Sequence, residues 1–567
     1  MSASAPPGDR ARSRLGFGLL LLLSGVGLAV RLVAAHTVGF GDSEALYASY
    51  ALFPQPAYVD HPGGIGLVAR MIAHAAGSAP SPEDAHLVTA IAASLAPWAV
   101  FAACRALRVR ELAAALAAVT VAVVPEVAIG LFGMTPDLLL FFAWLAALGL
   151  FGRALLAAPG SVSAVSLFAL AGLAVGIACA SKVSGITLGL AFAVCLFSAP
   201  ARAHARTPWP WLTLVLGVTI LVPFVVFESR TGWPMLRHRF IDTQRDAGLS
   251  LRNAGAIVGG QALYLSPVLF VAGLVVARRL FAARGVDAVT ALLASATFVP
   301  FAVLVPLCLW SRVAEPHWLA PAWLALPIYF AYAGPPAAPP DLARRGRRVR
   351  VAGLGIALAM SAAVHAWVLL PACVRLFPAS AYDARLDLAN ELYGWPDVTA
   401  DLLELTGEPA EAADVVVVGP VWMICAQLRA ALPRSIPVGC VGDSTADFAT
   451  WNPPRRWSET PFILFVHDNR AAADSSALFP DRASIAEKTR TILRGGRVAR
   501  VFTIEVLARR ATGRREPLHP GGELAAGFGA APQSAPTTGA IGVSPASRMR
   551  ARSSDSDGFG VVSRRSP

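Results

Sequence analysis

The sequence predicts a polytopic α-helical membrane protein that ends in a small α/β domain, and three observations carry that expectation. Of its 567 residues, 55% are hydrophobic and only 15% charged, with a mean hydropathy of +0.57, whereas soluble proteins carry about 25% charged residues. Apolar runs recur through residues 15–371, each near the roughly 20 residues that cross a bilayer as a helix. From about residue 375 the composition shifts to short strand-like and helix-like segments.

A leader, residues 1–14, carries Arg10, Arg12 and Arg14 and precedes an apolar run over 15–36 that reads as an uncleaved first span. Further runs cover roughly 86–104, 112–131, 137–157, 163–180, 184–199, 209–228, 262–277, 288–310, 317–334 and 351–371, about eleven spans in all. With the leader in the cytoplasm, alternation places Arg105, Arg108 and Arg110, then Arg153, Arg202, Arg206, Arg278, Arg279, Arg284 and the cluster from Arg344 to Arg350 on the same side. That obeys the positive-inside rule. The opposite loops hold Asp42, Glu44, Asp60, Asp137 and Glu315, and an odd number of spans puts the C-terminal domain outside, as expected of a multi-pass protein of the cell's inner membrane.

The first outward loop, 37–85, is long, and its stretch Gly63 to Ala76 reads as an interfacial helix. In the domain 375–510, Asp414–Gly419, Val438–Val441, Pro461–His467 and Arg497–Leu507 read as strands, with helices over 421–432 and 482–494. Residues 511–567, rich in Gly, Ser, Pro and Ala, read as a disordered tail. The net charge of +12 sits in topology-setting loops without interleaved aromatics, so no nucleic-acid partner is implied. The seven cysteines show no metal-binding spacing; Cys425 and Cys440 could form a disulfide if their region faces an oxidising compartment.

Chemistry is concentrated at the outward loop ends. The first loop contains Asp42-Ser43-Glu44-Ala45-Leu46-Tyr47 and then Tyr58-Val59-Asp60-His61-Pro62-Gly63-Gly64. A carboxylate there suits either a helix cap in a hydrated loop or a general base acting on a hydroxyl. Asp137 follows Pro136, a pairing that suits a helix start with or without chemistry. Glu315-Pro316-His317 fits a polar hairpin, and Trp233 and Trp318 fit an interfacial belt. Lys182, one of two lysines in the chain, falls on the outward side against the charge bias; it fits either snorkelling or contact with a phosphate.

These motifs, taken in order with Thr135-Pro136-Asp137, Ser181-Lys182, Gly232-Trp233 and Glu315-Pro316-His317-Trp318, resemble membrane glycosyltransferase family 39, the PMT/ArnT-like group of the GT-C superfamily. That group includes protein O-mannosyltransferases and lipid A aminoarabinose transferases. The resemblance covers nearly all of residues 15–335 and extends to Tyr393-Gly394-Trp395 and Trp451-Asn452 in the exported domain.

The resemblance implies a GT-C fold and transfer of a hexosyl or pentosyl group from a polyprenyl-phosphate donor to a lipid, glycan or protein acceptor at the outer membrane face. Inverting transfer needs a carboxylate to take the acceptor's proton as the anomeric carbon passes through an oxocarbenium-like state. Asp42 is the first choice, carried over from the family's Asp-Glu pair; Ser43 separates the two acids here, and Glu44 is its rival. Asp137 borders the active site. Lys182, Arg237 and Arg239 are the candidates for the donor phosphate, with Arg245 able to share the role. Asp60 and His61 stand near the acceptor or a divalent cation, and Glu315 and His317 line the donor cavity. No cofactor is otherwise indicated. A transporter or flippase of a lipid-linked sugar is the rival reading; transporters commonly carry mid-bilayer charges and internal repeats, and neither is visible here.

Overall fold

The protein is described from a computed structural model covering residues 7–245, 247–312, 315–337, 339–406, 414–442 and 446–510. The expected tail, 511–567, and the start of the leader lie outside the described residues. The first helix already begins at Pro7 and runs to Thr37, so it takes in the second half of the leader.

Among the described residues, seven helical segments are long and apolar enough to cross a membrane: Arg14–Thr37, Pro82–Ala106, Pro136–Leu155, Val162–Ser181, Trp209–Thr231, Ala288–Trp310 and Pro340–Leu369. Two bent pairs, Val183–Leu196 with Ala199–Ala205 at 82° and Leu251–Leu265 with Pro267–Ala283 at 104°, raise the number to nine if each pair is one span. The expected count of about eleven therefore exceeds what helix length supports. The run at 112–131 gives the 13-residue helix Glu111–Val123, which stops where Val124 turns extended before Pro125. Likewise 317–334 gives the 14-residue helix Ala320–Ala333. The run at 262–277 straddles the sharper bend, at Ser266-Pro267, where Ser266 has φ +74°; a residue before proline is driven out of the α region.

The C-terminal domain is a five-stranded sheet of order β2-β1-β3-β5-β4, from β1 Val415–Gly419, β2 Val438–Cys440, β3 Phe462–Asp468, β4 Arg482–Arg494 and β5 Arg497–Arg509. β1 is parallel to β2 and β3, with the helix Trp422–Ala431 crossing between β1 and β2. A disulfide ties that helix to β2 through Cys425 and Cys440. β1 is apolar and buried along its whole length, as a strand covered on both faces must be.

The expected helix at 482–494 is instead β4, paired antiparallel with β5. Gly495 and Gly496, at φ +59° and +81°, make a two-residue hairpin turn, and Ile485, Thr489 and Thr491 supply β-branched residues.

The apolar interior divides in a way that matters for the site. One cluster fills the helical bundle. A second joins Phe40, Leu46, Tyr47, Tyr50, Tyr58 and Ile65 of the first loop to Trp395, Ile424, Phe448, Trp451 and Phe502 of the C-terminal domain.

Candidate active site

The first loop enters as the helix Asp42–Ser49. Glu44, three residues from its cap, accepts the Gly41 N–H at 2.9 Å, and its other oxygen accepts the Met134 N–H at 2.7 Å and lies 3.1 Å from His86 Nε2. Burial opposes the charged form of Glu44, but His86 and the backbone donors outweigh it and hold the carboxyl below the usual range. Asp42 turns the other way: its Oδ1 accepts the Gln427 amide at 3.0 Å, and its N–H donates to Glu391 at 3.4 Å. Burial pushes the Asp42 carboxyl up, against the pull of Arg500 and the Gln427 hydrogen bond.

The loop then folds back on itself. Tyr50 and Tyr58 stack at 3.5 Å, Tyr58 N–H donates to the His61 carbonyl at 2.9 Å, and Gly63 N–H donates to the Pro56 carbonyl at 2.8 Å. The glycines that follow His61-Pro62 are needed for close approach. A Cβ on Gly63 would lie 2.5 Å from the Pro56 carbonyl oxygen, and one on Gly64 would lie 2.6 Å from that of Ala180. Gly64 therefore lets the start of the helix Gly64–Ala76 sit directly on the end of the helix Val162–Ser181, beside Lys182.

Lys182 caps that helix, and Asp137 occupies the first turn of the antiparallel helix Pro136–Leu155. The Ser181 hydroxyl donates to the Pro136 carbonyl at 2.5 Å, and Lys182 Nζ donates to both Asp137 oxygens at 2.8 and 2.9 Å. Each charge also suits its helix end, an acid at an N-terminus and a cation at a C-terminus. His317 Nε2 lies 3.8 Å from Asp137 and 3.4 Å from Glu315, and Trp318 donates to Glu315 at 3.2 Å.

Arg239 comes from the helix Pro234–Phe240. It donates to the Asp60 carbonyl at 3.1 and 2.9 Å, and its guanidinium stands 3.3 Å from the Asp60 carboxylate, with His238 at 3.8 Å. The buried His61 imidazole is held well below its ordinary pKa by desolvation and then by Arg239, Lys182 and His317. Three basic groups from separate elements thus disfavour its protonation.

Asp60, His61, Asp137, Lys182, Arg239, Glu315 and His317 thus gather at one end of the bundle. Arg237 is exposed and its side chain has no partner among the described residues. No hydrogen bond or ion pair among the described residues joins Asp42 or Glu44 to this group. Nor do three His, Cys, Asp or Glu side chains form a metal-binding group there, and the Asp60 carboxylate already faces cations. Sequence reasoning missed His86, Gln427, Glu391, Asp447 and Glu126; no motif marked any of them.

Residues 60–227 match the family described as dolichyl-phosphate-mannose-protein mannosyltransferase, a stretch that includes Asp60, His61, Asp137 and Lys182. Comparison with curated proteins gives no match. The fold is similar to ArnT from Cupriavidus metallidurans bound to undecaprenyl phosphate, at 17% identity and TM-score 0.55 over 86% of this chain and 98% of that one. The apo state of the same protein gives 18% identity, TM-score 0.55 and the same coverage. The archaeal oligosaccharyltransferase of Archaeoglobus fulgidus in the apo form is a looser likeness, at 13% identity and TM-score 0.46 over 80% and 69% of the two chains. The chain therefore has the GT-C fold seen in ArnT, and its residues 60–227 are similar in sequence to the protein mannosyltransferase family.

Proposed function

We propose that this protein is a membrane glycosyltransferase that moves a sugar from a polyprenyl-phosphate donor to an acceptor hydroxyl at the outer face of the inner membrane. The observation that carries the reading is the gathering of Lys182, Arg239, His61 and His317 with Asp60 and Asp137 at one end of a bundle whose fold is that of ArnT. In this reading Lys182 and Arg239, joined by Arg237, hold the donor phosphate and stabilise it as the glycosidic bond breaks. Asp137 fixes the Lys182 ammonium, and Asp60, His61, Glu315 and His317 border the acceptor. A carboxylate takes the acceptor proton. Gln427 engages Asp42 through Oδ1 alone, whereas both Glu44 oxygens are engaged, so Asp42 is the better placed of the two.

The Cys425–Cys440 disulfide supports an outward-facing C-terminal domain, because such bonds persist in oxidising compartments. The arginine asymmetry of the loops supports the same orientation. A flippase reading has no specific observation in its favour.

The test is incubation of the purified protein with radiolabelled polyprenyl-phosphate sugars and fractionated membranes, followed by identification of the labelled product. Transfer from at least one donor is expected. Absence of transfer from a panel of hexosyl and pentosyl donors, together with movement of those donors across proteoliposomes, would overturn the reading in favour of transport.

A further inference from the structure

Where Asp137 stands depends on the turn that precedes it, residues 132–136, and that turn is held from two sides. The Pro136 carbonyl accepts the Ser181 hydroxyl at 2.5 Å, and the Met134 N–H donates to Glu44 Oε1 at 2.7 Å. Three residues after Met134, the Asp137 carboxylate meets Lys182 Nζ at 2.8 and 2.9 Å. Ser181 and Lys182 are neighbours, so one grip comes from the helix end that carries the ammonium itself; the other comes from the first loop. Gly133 makes room for that second grip, because a Cβ there would lie 3.3 Å from Glu44 Oε1.

His86 holds the Glu44 carboxylate in place. It belongs to the helix Pro82–Ser94 and is fully buried. Its Nε2 lies 3.1 Å from Glu44 Oε1, the same oxygen that takes the Met134 N–H. Nδ1 has no partner among the described residues, so the Nε2–H tautomer, with the ring donating to Glu44, satisfies the contact. The ring also packs between Phe40 and Phe132, with centroids 5.8 and 4.7 Å away. Phe40 precedes Asp42 by two residues, and Phe132 precedes Met134 by two. One side chain therefore joins the first loop to the turn ahead of Asp137, by a hydrogen bond and by aromatic packing together. No hydrogen bond or ion pair among the described residues joins His86 to Asp137 or Lys182, so any effect on them passes through Glu44 and the turn.

We infer that His86 is a positioning residue for the donor phosphate: through Glu44 it fixes the turn that seats Asp137, and through Asp137 it aims the Lys182 ammonium. The inference rests on the glycosyltransferase reading above, in which Lys182 holds that phosphate. Without the Nε2–H donor, the buried Glu44 carboxylate keeps only the Gly41 and Met134 N–H groups. A buried charge short of partners reorients or draws in water, and either change loosens the acceptor of the Met134 N–H.

The test uses full-length protein in detergent, with undecaprenyl phosphate as the binding probe, Tm as the measure of folding and the radiolabelled donor panel as the activity readout. His86→Gln places an amide N–H near the position of Nε2, whereas the shorter His86→Asn stops short of Glu44. His86→Asn should weaken undecaprenyl phosphate binding by about tenfold, within the range for coupled neighbours, and His86→Gln should stay within about threefold of the parent. In a Lys182→Met background His86→Asn should no longer change the affinity, because the group it positions is gone, while its effect on Tm should persist. His86→Leu keeps the apolar packing without a donor and serves if His86→Asn fails to fold. Parental affinity in the donorless variants would overturn the inference alone, as would an equal loss of affinity with and without Lys182, which would show His86 acting on the fold only. A parent that transfers from no donor in the panel would overturn the functional reading, and one that fails to bind undecaprenyl phosphate would overturn this inference with it.

Discussion

Replacing Lys182 by Met separates a structural role of the lysine from a phosphate-binding one. The ammonium makes two charge-assisted hydrogen bonds to Asp137 at 2.8 and 2.9 Å, with the two side chains 10% and 26% exposed. Removing one partner of a buried pair costs about 3–5 kcal/mol, and a surface pair contributes about 0–1 kcal/mol. With a quarter of Asp137 exposed, a loss of about 2 kcal/mol of stability is expected. If the ammonium also binds the donor phosphate, one charged hydrogen bond of about 1.5–3 kcal/mol is lost on that side, roughly a 10- to 100-fold weaker Kd. Both are measurable on purified protein, the first as Tm in detergent and the second by titration with undecaprenyl phosphate. The double variant Lys182→Met with Asp137→Asn should recover most of the Tm, because no unpaired carboxylate remains, yet stay weak for undecaprenyl phosphate; Lys182→Arg should recover part of both. Parental affinity in Lys182→Met, or recovered affinity in the double variant, would refute phosphate binding and leave an ion pair that only ties two helix ends together.

Four further outcomes are expected. An export-dependent reporter should be active when fused after Phe377 and inactive near Arg345, and Cys425→Ser should lower stability by about 3 kcal/mol, the scale for a disulfide closing a loop of this length; activity of the reporter at Arg345 alone would invert the topology. Gly64→Ala should lower Tm and weaken undecaprenyl phosphate binding, since its Cβ would meet the Ala180 carbonyl oxygen at 2.6 Å. Gly259→Ala, with open space around it, should do neither, so equal effects at the two positions would discount the contact. Burial pushes the carboxyls of Asp447 and Glu391 up to about 7. These two carboxyls therefore hold protons in the folded protein that the unfolded chain releases between about pH 4 and 7, and their own contribution to stability falls as pH rises through that window. Asp447→Asn should flatten the fall in Tm, and an unchanged slope would show that Asp447 does not contribute to it.

What the sequence made legible follows from the range of the interactions concerned. The seven apolar runs that became long helices, the buried strands β1 and β3 and the helix after β1 are set by local pattern, and they stand where expected. The bend at Ser266-Pro267 carried a local signal in its proline, which the continuous apolar run masked. At β4 the expected helix gives way to a strand, selected by the following Gly-Gly turn and the pairing with β5. Asp137 and Lys182 were each singled out, but not as a pair, because their meeting depends on two antiparallel helices closing over 45 residues. The Asp42–Gln427 contact spans 385 residues, and nothing near Asp42 announces an amide from the far end of the chain.

That distant contact bears on what the C-terminal domain does. Gly39 donates to the Leu392 carbonyl at 3.0 Å, Gln427 donates to both the Phe40 carbonyl and Asp42, and Asp447 accepts the Val59 N–H at 3.2 Å. Val59 precedes Asp60, whose carbonyl is gripped from the opposite side by Arg239. The first loop is thereby pinned at both ends, by the sheet domain on one side and by the bundle's own loops on the other. Its aromatic residues also share one apolar core with that domain. A chain cut before the sheet would expose that core and leave Asp42 and the Val59 N–H without their partners, a penalty of about 1–3 kcal/mol for each buried group left unsatisfied. Separate folding of the two parts is therefore not expected, and loss of the sheet domain should loosen the loop that carries Asp60 and His61.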